Sequence, residues 1–381
     1  MRFLELLARL VAFDTVSSNP NREMVGFLAE RLARPGVRIE IDASEDGKKA
    51  NLIAILGPEV DPEKRNGLTL SGHLDVVPAE EPDWESPPFE LADRGDRWVG
   101  RGTADMKGFI ALATELASET DVGALAAPLA LFFTYDEEVG SHGAQRFADG
   151  LGKRLLLPRS TIIGEPTELQ ALSLHKGHLR LSVTLHGKAA HSGHPRNGEN
   201  AIEPAARVVD ALAELRRQLE NERPPLADLF PAVPFTVLNV AHIEGGGAIN
   251  VVPDRCVIDV GVRTFPKSDR EGLVSRIREA VRTAAGALPV DFELGHESPP
   301  MYLDDEAEVL ALTHRTLGQE KRLSAAFSSD AGFLSELGQD CILLGPGSIE
   351  VAHRANEFLP KGDVDRFTPI LRGLIQEICG A

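Results

Sequence analysis

The sequence predicts an α/β protein: a layered domain with a mostly parallel sheet, interrupted by an inserted ferredoxin-like βαββαβ domain. Three observations predict it. Continuous apolar runs bounded by loops fill the first 170 of 381 residues. A strictly alternating strand then begins near residue 177, and α/β patterning returns after about residue 298. Unbroken apolar runs suit strands buried on both faces, whereas alternation suits a sheet with one wet face.

The elements follow in order. "GVRIEID" and "NLIAIL" read as strands joined by the charged turn "ASEDGKKA". "LTLSG" at 68–72 is a third strand, and residues 110–119 form a helix after the glycine-containing loop "GRGTADMKG". "LALFFTY" and "STIIGEP" are further apolar strands. In "HLRLSVTLHG", Leu179, Leu181, Val183 and Leu185 share one face. Ile202, Ala205, Val209, Leu212, Leu215 and Leu219 keep helical spacing. "FTVLNVAHIEGG", "RCVIDVGVRT", a helix over 268–285 and "VDFEL" complete a β-α-β-β-α-β order. The strand "CILLG" and a helix after "LPKGD" belong to the layered domain again. The expected boundaries are 1–172 with 298–381 for the layered domain, and 173–297 for the insert.

Composition narrows the function classes. The formal net charge is −18, with 58 Asp+Glu against 40 Lys+Arg and no basic run. That excludes a nucleic-acid backbone as the expected partner, since such binding rests on clustered cations. The opening "MRFLELLARLVAFD" is too short and too charged for a signal peptide, and no segment approaches a membrane span. Cys256, Cys341 and Cys379 are odd in number and far apart, which suggests neither a disulfide framework nor a thiolate site. A cytoplasmic protein is expected.

Chemistry-bearing side chains recur where apolar strands end. "LSGHLDVVP" carries His73 and Asp75, "GTADMKG" carries Asp105, and "TYDEEVG" carries Asp136, Glu137 and Glu138. "IIGEPT" carries Glu165, and the distant "VAHRANEF" carries His353. Singly, each also reads as a surface group, a helix cap or a turn residue. Together they bring several negative charges into the crevice beyond the carboxyl ends of an open α/β sheet. Bound cations would neutralise such a cluster. Two imidazoles with carboxylates suit zinc or another borderline ion such as cobalt. The donors outnumber what one tetrahedral ion with an open position needs, so two ions are expected, about 3.5–4 Å apart and bridged by a carboxylate. In an extended backbone Glu137 and Glu138 would face opposite ways, one to ligate and one to act as a base. His73 and Asp75 would share a face, so that the carboxylate could hold the second imidazole nitrogen.

The set "SGHLDVVP", "GRGTADMKG", "TYDEEVG", "IIGEPT", "LHKGHL", "GKAAHSGHP", "HIEGGGAINVVPD" and "LGPGSIEVAHRANEF" resembles the M20 family of dinuclear zinc aminoacylases and peptidases. The motifs run in order from about residue 50 to 360. The resemblance implies a zinc-peptidase-like catalytic domain with an inserted dimerisation, or lid, domain, and hence a homodimer. It implies that Asp105 bridges two metals, Zn(2+) or Co(2+), with His73 and Glu165 on one, and Glu138 and His353 on the other. Glu137 is implied as general base, Asp75 as the residue orienting His73, and His191 as a histidine acting on the transition state. Asn250 and Arg263 match substrate positions, Arg263 facing an α-carboxylate.

The implied reaction is removal of an acyl, above all acetyl, group from a small N-acylated amino acid such as N2-acetyl-L-ornithine, within arginine biosynthesis. "AFSSDAGFL", with Asp330, and "GVRTFP" depart from that branch's usual pattern. Acetylcitrulline, acetyl-lysine-type and succinylated diamino acids, and peptides cut by a dipeptidase or carboxypeptidase, therefore stay open. Asp330 reads either as the cap of a helix starting near Ala331 or as the partner of a substrate ammonium group.

Overall fold

The computed structural model describes residues 2–380. Along the chain, α1 (Phe3–Val11) and α2 (Arg22–Leu32) precede β1 (Val37–Ala43), β2 (Ala50–Leu56) and β3 (Leu68–His73). The short β4 (Ala92–Asp93) and β5 (Arg97–Val99) lead to α3 (Gly108–Glu119), β6 (Leu129–Thr134), α4 (His142–Asp149), β7 (Ser160–Ile163) and β8 (Leu172–His175). Next come β9 (Gly177–His186), β10 (Ala190–His191), α5 (Ile202–Asn221), β11 (Val237–Gly245), β12 (Val251–Val252), β13 (Arg255–Thr264), α6 (Arg270–Ala285) and β14 (Val290–Ser298). The chain ends through β15 (Met301–Tyr302), α7 (Glu308–Leu317), β16 (Leu323–Ala325), α8 (Ala331–Glu336), β17 (Asp340–Leu343), β18 (Phe358–Pro360) and α9 (Lys361–Cys379). Two compact units result. The first holds Met1–Leu174, Met301–Leu323 and Ser329–Ala381; the second holds His175–Pro300 and Ser324–Ser328.

In the first unit the main sheet runs β1-β2-β6-β3-β7-β17-β8-β15. Its centre, β6-β3-β7-β17, is parallel, while β1, β2 and β8 add antiparallel flanks. Every residue of β2, β3 and β6 is buried, which explains why these strands are apolar along their whole length. Helix α3 buries nine of its twelve residues. Helix α1 lays Leu6, Leu7, Leu10 and Val11 into the same core. Helices α1 and α2 were not anticipated, although Leu6, Leu7, Leu10 and Val11, and then Met24, Val25, Leu28 and Leu32, recur at helical spacing. Helix α9 begins at Lys361, inside "LPKGD" rather than after it; Pro360 sits at its N-cap, where a missing N–H costs nothing.

The second unit is the predicted β-α-β-β-α-β order, closed as an antiparallel sheet β11-β13-β9-β14. Leu179, Leu181, Val183 and Leu185 of β9 face Ile258, Val260 and Val262 of β13 and the apolar sides of both helices. Each such side chain contributes roughly 1.5–3 kcal/mol of burial. On α5 the buried stripe is Ala205, Val208, Leu212, Leu215 and Leu219, and Ile202 lies at the exposed margin. Cys256, Cys341 and Cys379 are free and buried. Among the described residues no helix is long and apolar enough to cross a membrane.

Candidate active site

Four parallel strands converge on one place. His73 is the last residue of β3, and Asp75 follows two residues later. Asp136, Glu137 and Glu138 follow β6, and Glu165 follows β7 by two residues. His353 lies in the loop after β17. The parallel register sets β3 beside β6 and β7, and β7 beside β17, so their carboxyl ends line a single rim. Asp105 reaches this rim from the loop between β5 and α3, where the Asp105–Met106 peptide is cis.

Ligand atoms of His73, Asp105 and Glu165 all lie within 4.8 Å of one another, and so do those of Asp105, Glu138 and His353. The two groups share Asp105. Its Oδ1 lies 2.9 Å from His73 Nε2, and its Oδ2 lies 3.3 Å from His353 Nε2. His353 Nε2 is also 3.0 Å from the Glu138 carboxylate. His73 Nδ1 is 2.9 Å from the main-chain carbonyl oxygen of Asp75. A carbonyl only accepts, so Nδ1 carries a proton, and Nε2 is the nitrogen left facing Asp105.

The three adjacent acids are separated by their backbone. Asp136 takes positive φ (57°), which turns its carboxylate towards Lys49 Nζ, 2.6 Å from both oxygens. Residues 137–140 form a turn, not the extended segment considered from the sequence. The Asp75 carboxylate organises that turn. Its Oδ1 accepts from the Glu137 N–H at 3.0 Å, and its Oδ2 accepts from the Glu138 N–H at 3.2 Å and the Ser17 hydroxyl at 2.7 Å. Lys49 also donates to the Ser17 carbonyl. The Asp75 carboxylate is 3.6 Å from His73 Nδ1, so the main-chain oxygen is that nitrogen's nearer partner.

Electrostatics show what the cluster lacks. Burial pushes Glu165 up to about 8 and Glu138 up to about 7, with the Asp105 charge adding to both. Burial also lifts Glu137 well above the carboxylate range, aided by Glu165 and Glu138. Burial opposes the charged form of His73, yet Asp105, Asp75 and Glu137 hold its pKa well above the usual imidazole range. Hydrogen bonds to Asp105 and Glu138 raise His353 to about 10. Burial disfavours charge on Asp105 too, but both histidines hold it far down. Acids that resist ionisation beside imidazoles that cling to protons form a donor set short of positive charge. Dications would supply that charge, and the neutral-imidazole and carboxylate donors fit them.

Asp330 adds a further buried acid. It stands at the N-cap position of α8, but its side chain makes no cap bond. Its Oδ2 accepts from the Thr134 hydroxyl at the end of β6, while Oδ1 has no hydrogen bond. Burial raises it to about 6; Thr134 and the nearby charge of His73 oppose this.

His191, Asn250 and Arg263 belong to the second unit. His191 pairs with Val251 across β10 and β12, its Nδ1 accepts from the Gly193 N–H, and the Asn250 carbonyl accepts from the Ser192 N–H. His191 and Asn250 are thus neighbours on one exposed turn. Arg263 lies at the opposite end of β13 and donates to the Ser328 hydroxyl at 3.2 Å.

The sequence reading passed over Lys49, Ser17 and Glu357, which support the site from elsewhere in the first unit. Glu357 lay within a quoted motif, four residues beyond His353.

The profile of peptidase family M20/M25/M40 matches residues 69–377. The chain belongs to the M20 peptidase family. It is therefore a hydrolase of amide bonds. Among its relatives, acetylornithine deacetylase of Proteus mirabilis is 32% identical over 387 residues, spanning 99% of this chain and 97% of that protein. Acetylornithine deacetylase of Aliivibrio salmonicida is 33% identical over 388 residues, spanning 99% and 98%. Solved M20-type structures share the fold. The aminopeptidase PepT of Bacillus cereus aligns with a TM-score of 0.75 at 20% identity, over 99% of this chain and 98% of that one. A dinuclear metal binding peptidase of the M20 family from Bacillus subtilis aligns with a TM-score of 0.67 at 15% identity, over 98% and 96%.

Proposed function

We propose that this M20 member removes the acetyl group from N2-acetyl-L-ornithine, giving ornithine and acetate in arginine biosynthesis, with two divalent ions, Zn(2+) or Co(2+), in its centre. The observation that carries the reading is likeness to acetylornithine deacetylases along nearly the whole chain. The assembled carboxylate–imidazole cluster supports it independently.

Asp105 would bridge the ions, His73 and Glu165 completing one site, Glu138 and His353 the other. When bound, the ions supply Lewis acidity that polarises the amide carbonyl and acidifies the attacking water. Glu137 is the proton carrier. Its carboxylate takes a proton from the water as the new C–O bond forms, and returns it to the amine nitrogen as the C–N bond breaks. Its main-chain N–H is held by Asp75 at 3.0 Å, so the turn that carries the carboxylate is fixed. Asp75 holds the turn that aims Glu137. His191 donates to the developing oxyanion, Arg263 pairs with the substrate α-carboxylate, and Asn250 contributes a hydrogen bond to the substrate. The protein is read as a cytoplasmic homodimer that pairs through the second unit, which a sizing experiment tests.

The deciding measurement is amine release from a panel of N2-acetyl-L-ornithine, acetylcitrulline, succinyl-diaminopimelate and simple dipeptides, with zinc or cobalt added. Turnover of acetylornithine above the others supports the proposal. Cleavage of dipeptides with acetylornithine untouched assigns the chain to the peptidase side of the family.

A further inference from the structure

Glu357 is 1% exposed and uses both carboxylate oxygens fully. Oε1 accepts from the main-chain N–H groups of Ala104 at 2.9 Å and Asp105 at 3.0 Å. Oε2 accepts from the Gly102 N–H at 2.9 Å and Arg101 Nη1 at 3.0 Å. A single carboxylate therefore gathers three consecutive-loop amides, including that of Asp105. Gly102 permits the wrap, since its φ of 79° suits glycine. Arg101, itself fully buried, extends the grip: Nη1 donates to the Arg354 carbonyl, and Nη2 to the Pro78 carbonyl and Glu81. Asn356, next to Glu357, bonds the Asp83 carbonyl and the Glu85 N–H.

These bonds stitch the loop that carries His353 to the loop that carries Asp105. The two halves of the cluster depend on this stitching unequally. His73 is set by the register of β3, and Glu165 follows directly from β7. His353 has no strand register. It lies in a turn at φ 60°, with a side chain half exposed to solvent. Its spacing from Asp105 rests on Glu357 and Arg101.

We propose that Glu357 is a positioning residue that sets the cation affinity of the Asp105–Glu138–His353 site, and that of the His73–Asp105–Glu165 site less, because the latter shares only Asp105 with the stitched loops and takes His73 and Glu165 from strand ends. This rests on the two-ion reading of the centre. The test is calorimetric titration of metal-free protein with Zn(2+), read alongside the metal dependence of activity. Wild type binds two ions, and His353→Ala identifies the ion that belongs to the His353 site. Glu357→Gln keeps the shape but turns an amide N–H₂ towards N–H donors. It weakens that same ion by about 10- to 100-fold, the usual range for losing an outer partner of a ligand. The other ion, which shares Asp105, shifts by less than that, and kcat returns at saturating metal. Arg101→Lys, which spares the main-chain bonds, shifts the same ion less and carries the test should Glu357→Gln fail to fold. If both ions loosen in parallel in the variants, or neither does, the positioning role is wrong while the two-ion reading stands. If wild type binds fewer than two ions, that reading fails and takes the inference with it.

Discussion

At the residue scale, the site works by dividing labour between neighbours that carry the same charge. Asp136 is handed to Lys49, Glu138 to His353, and Glu137 is buried with the charge of His73 nearby. Glu137→Gln should lower kcat by about 10²–10⁴-fold, the range for a lost general base. Its metal content, measured by elemental analysis, should equal that of wild type; near-full activity in this variant would refute the role given to Glu137. The identity of these groups was legible in the sequence, because buried parallel strands are apolar until they end and a charged residue there stands out. Their directions were not. Glu137 and Glu138 are aimed by Asp75, 62 and 63 residues away in sequence, and Asp136 is claimed by Lys49, 87 residues away. Such pairings leave no periodic or local signature, so the extended backbone imagined for that stretch gave way to a turn. Asp330 illustrates the same limit: a capping position was readable, but the long-range contact with Thr134 decided where its side chain went.

At the element scale, packing between strand ends and helices holds the donors still. Gly164, between β7 and Glu165, faces α3 so closely that an added Cβ would lie 1.8 Å from the Phe109 ring. Gly164→Ala should destabilise the protein by about 1–3 kcal/mol or more through overpacking, and should displace Glu165 as well. Gly373, inside α9, has nothing within 4 Å of the same point. Gly373→Ala should instead stabilise by roughly 0.5–1 kcal/mol through backbone entropy and helix propensity. Urea denaturation midpoints of the two variants test both signs at once. Strands β2, β3, β6 and β7 could be read from unbroken apolar runs, and the strand β9 and helix α5 of the second unit from hydrophobic period. Helices α1, α2, α4 and α7 were passed over, although the first two keep apolar residues at helical spacing.

For the whole molecule, stability responds to protons and to metal. His175, fully buried with its Nε2 unpartnered, has its pKa pushed down to about 4 by burial, then by the charge of Arg263. A folded pKa below the unfolded value of about 6.5 gives a contribution complete above pH 6.5 and lost as pH falls towards 4. Between pH 7 and pH 5 this one group should cost roughly 2 kcal/mol, from 1.36 kcal/mol per pH unit below 6.5. Melting curves of wild type and His175→Leu at the two pH values check it: the acid loss should shrink in the variant. Metal acts in the opposite sense. Free ion at about 100 times its Kd should add about 2.7 kcal/mol by mass action, a gain abolished by chelator and absent in Asp105→Asn.

The first unit is built from segments that precede and follow the second, and that ordering has a consequence during synthesis. A ribosome delivers β9 through β14 as one contiguous stretch, so the four-stranded sheet and two helices of the second unit can fold while later codons, those of its Ser324–Ser328 segment included, are still being read. His353 and Glu357 emerge only after the whole of β9 through β14. Until then Asp105, Glu138 and Glu165 wait as an unfinished acidic cluster, which closes only once residues 353–357 have been made.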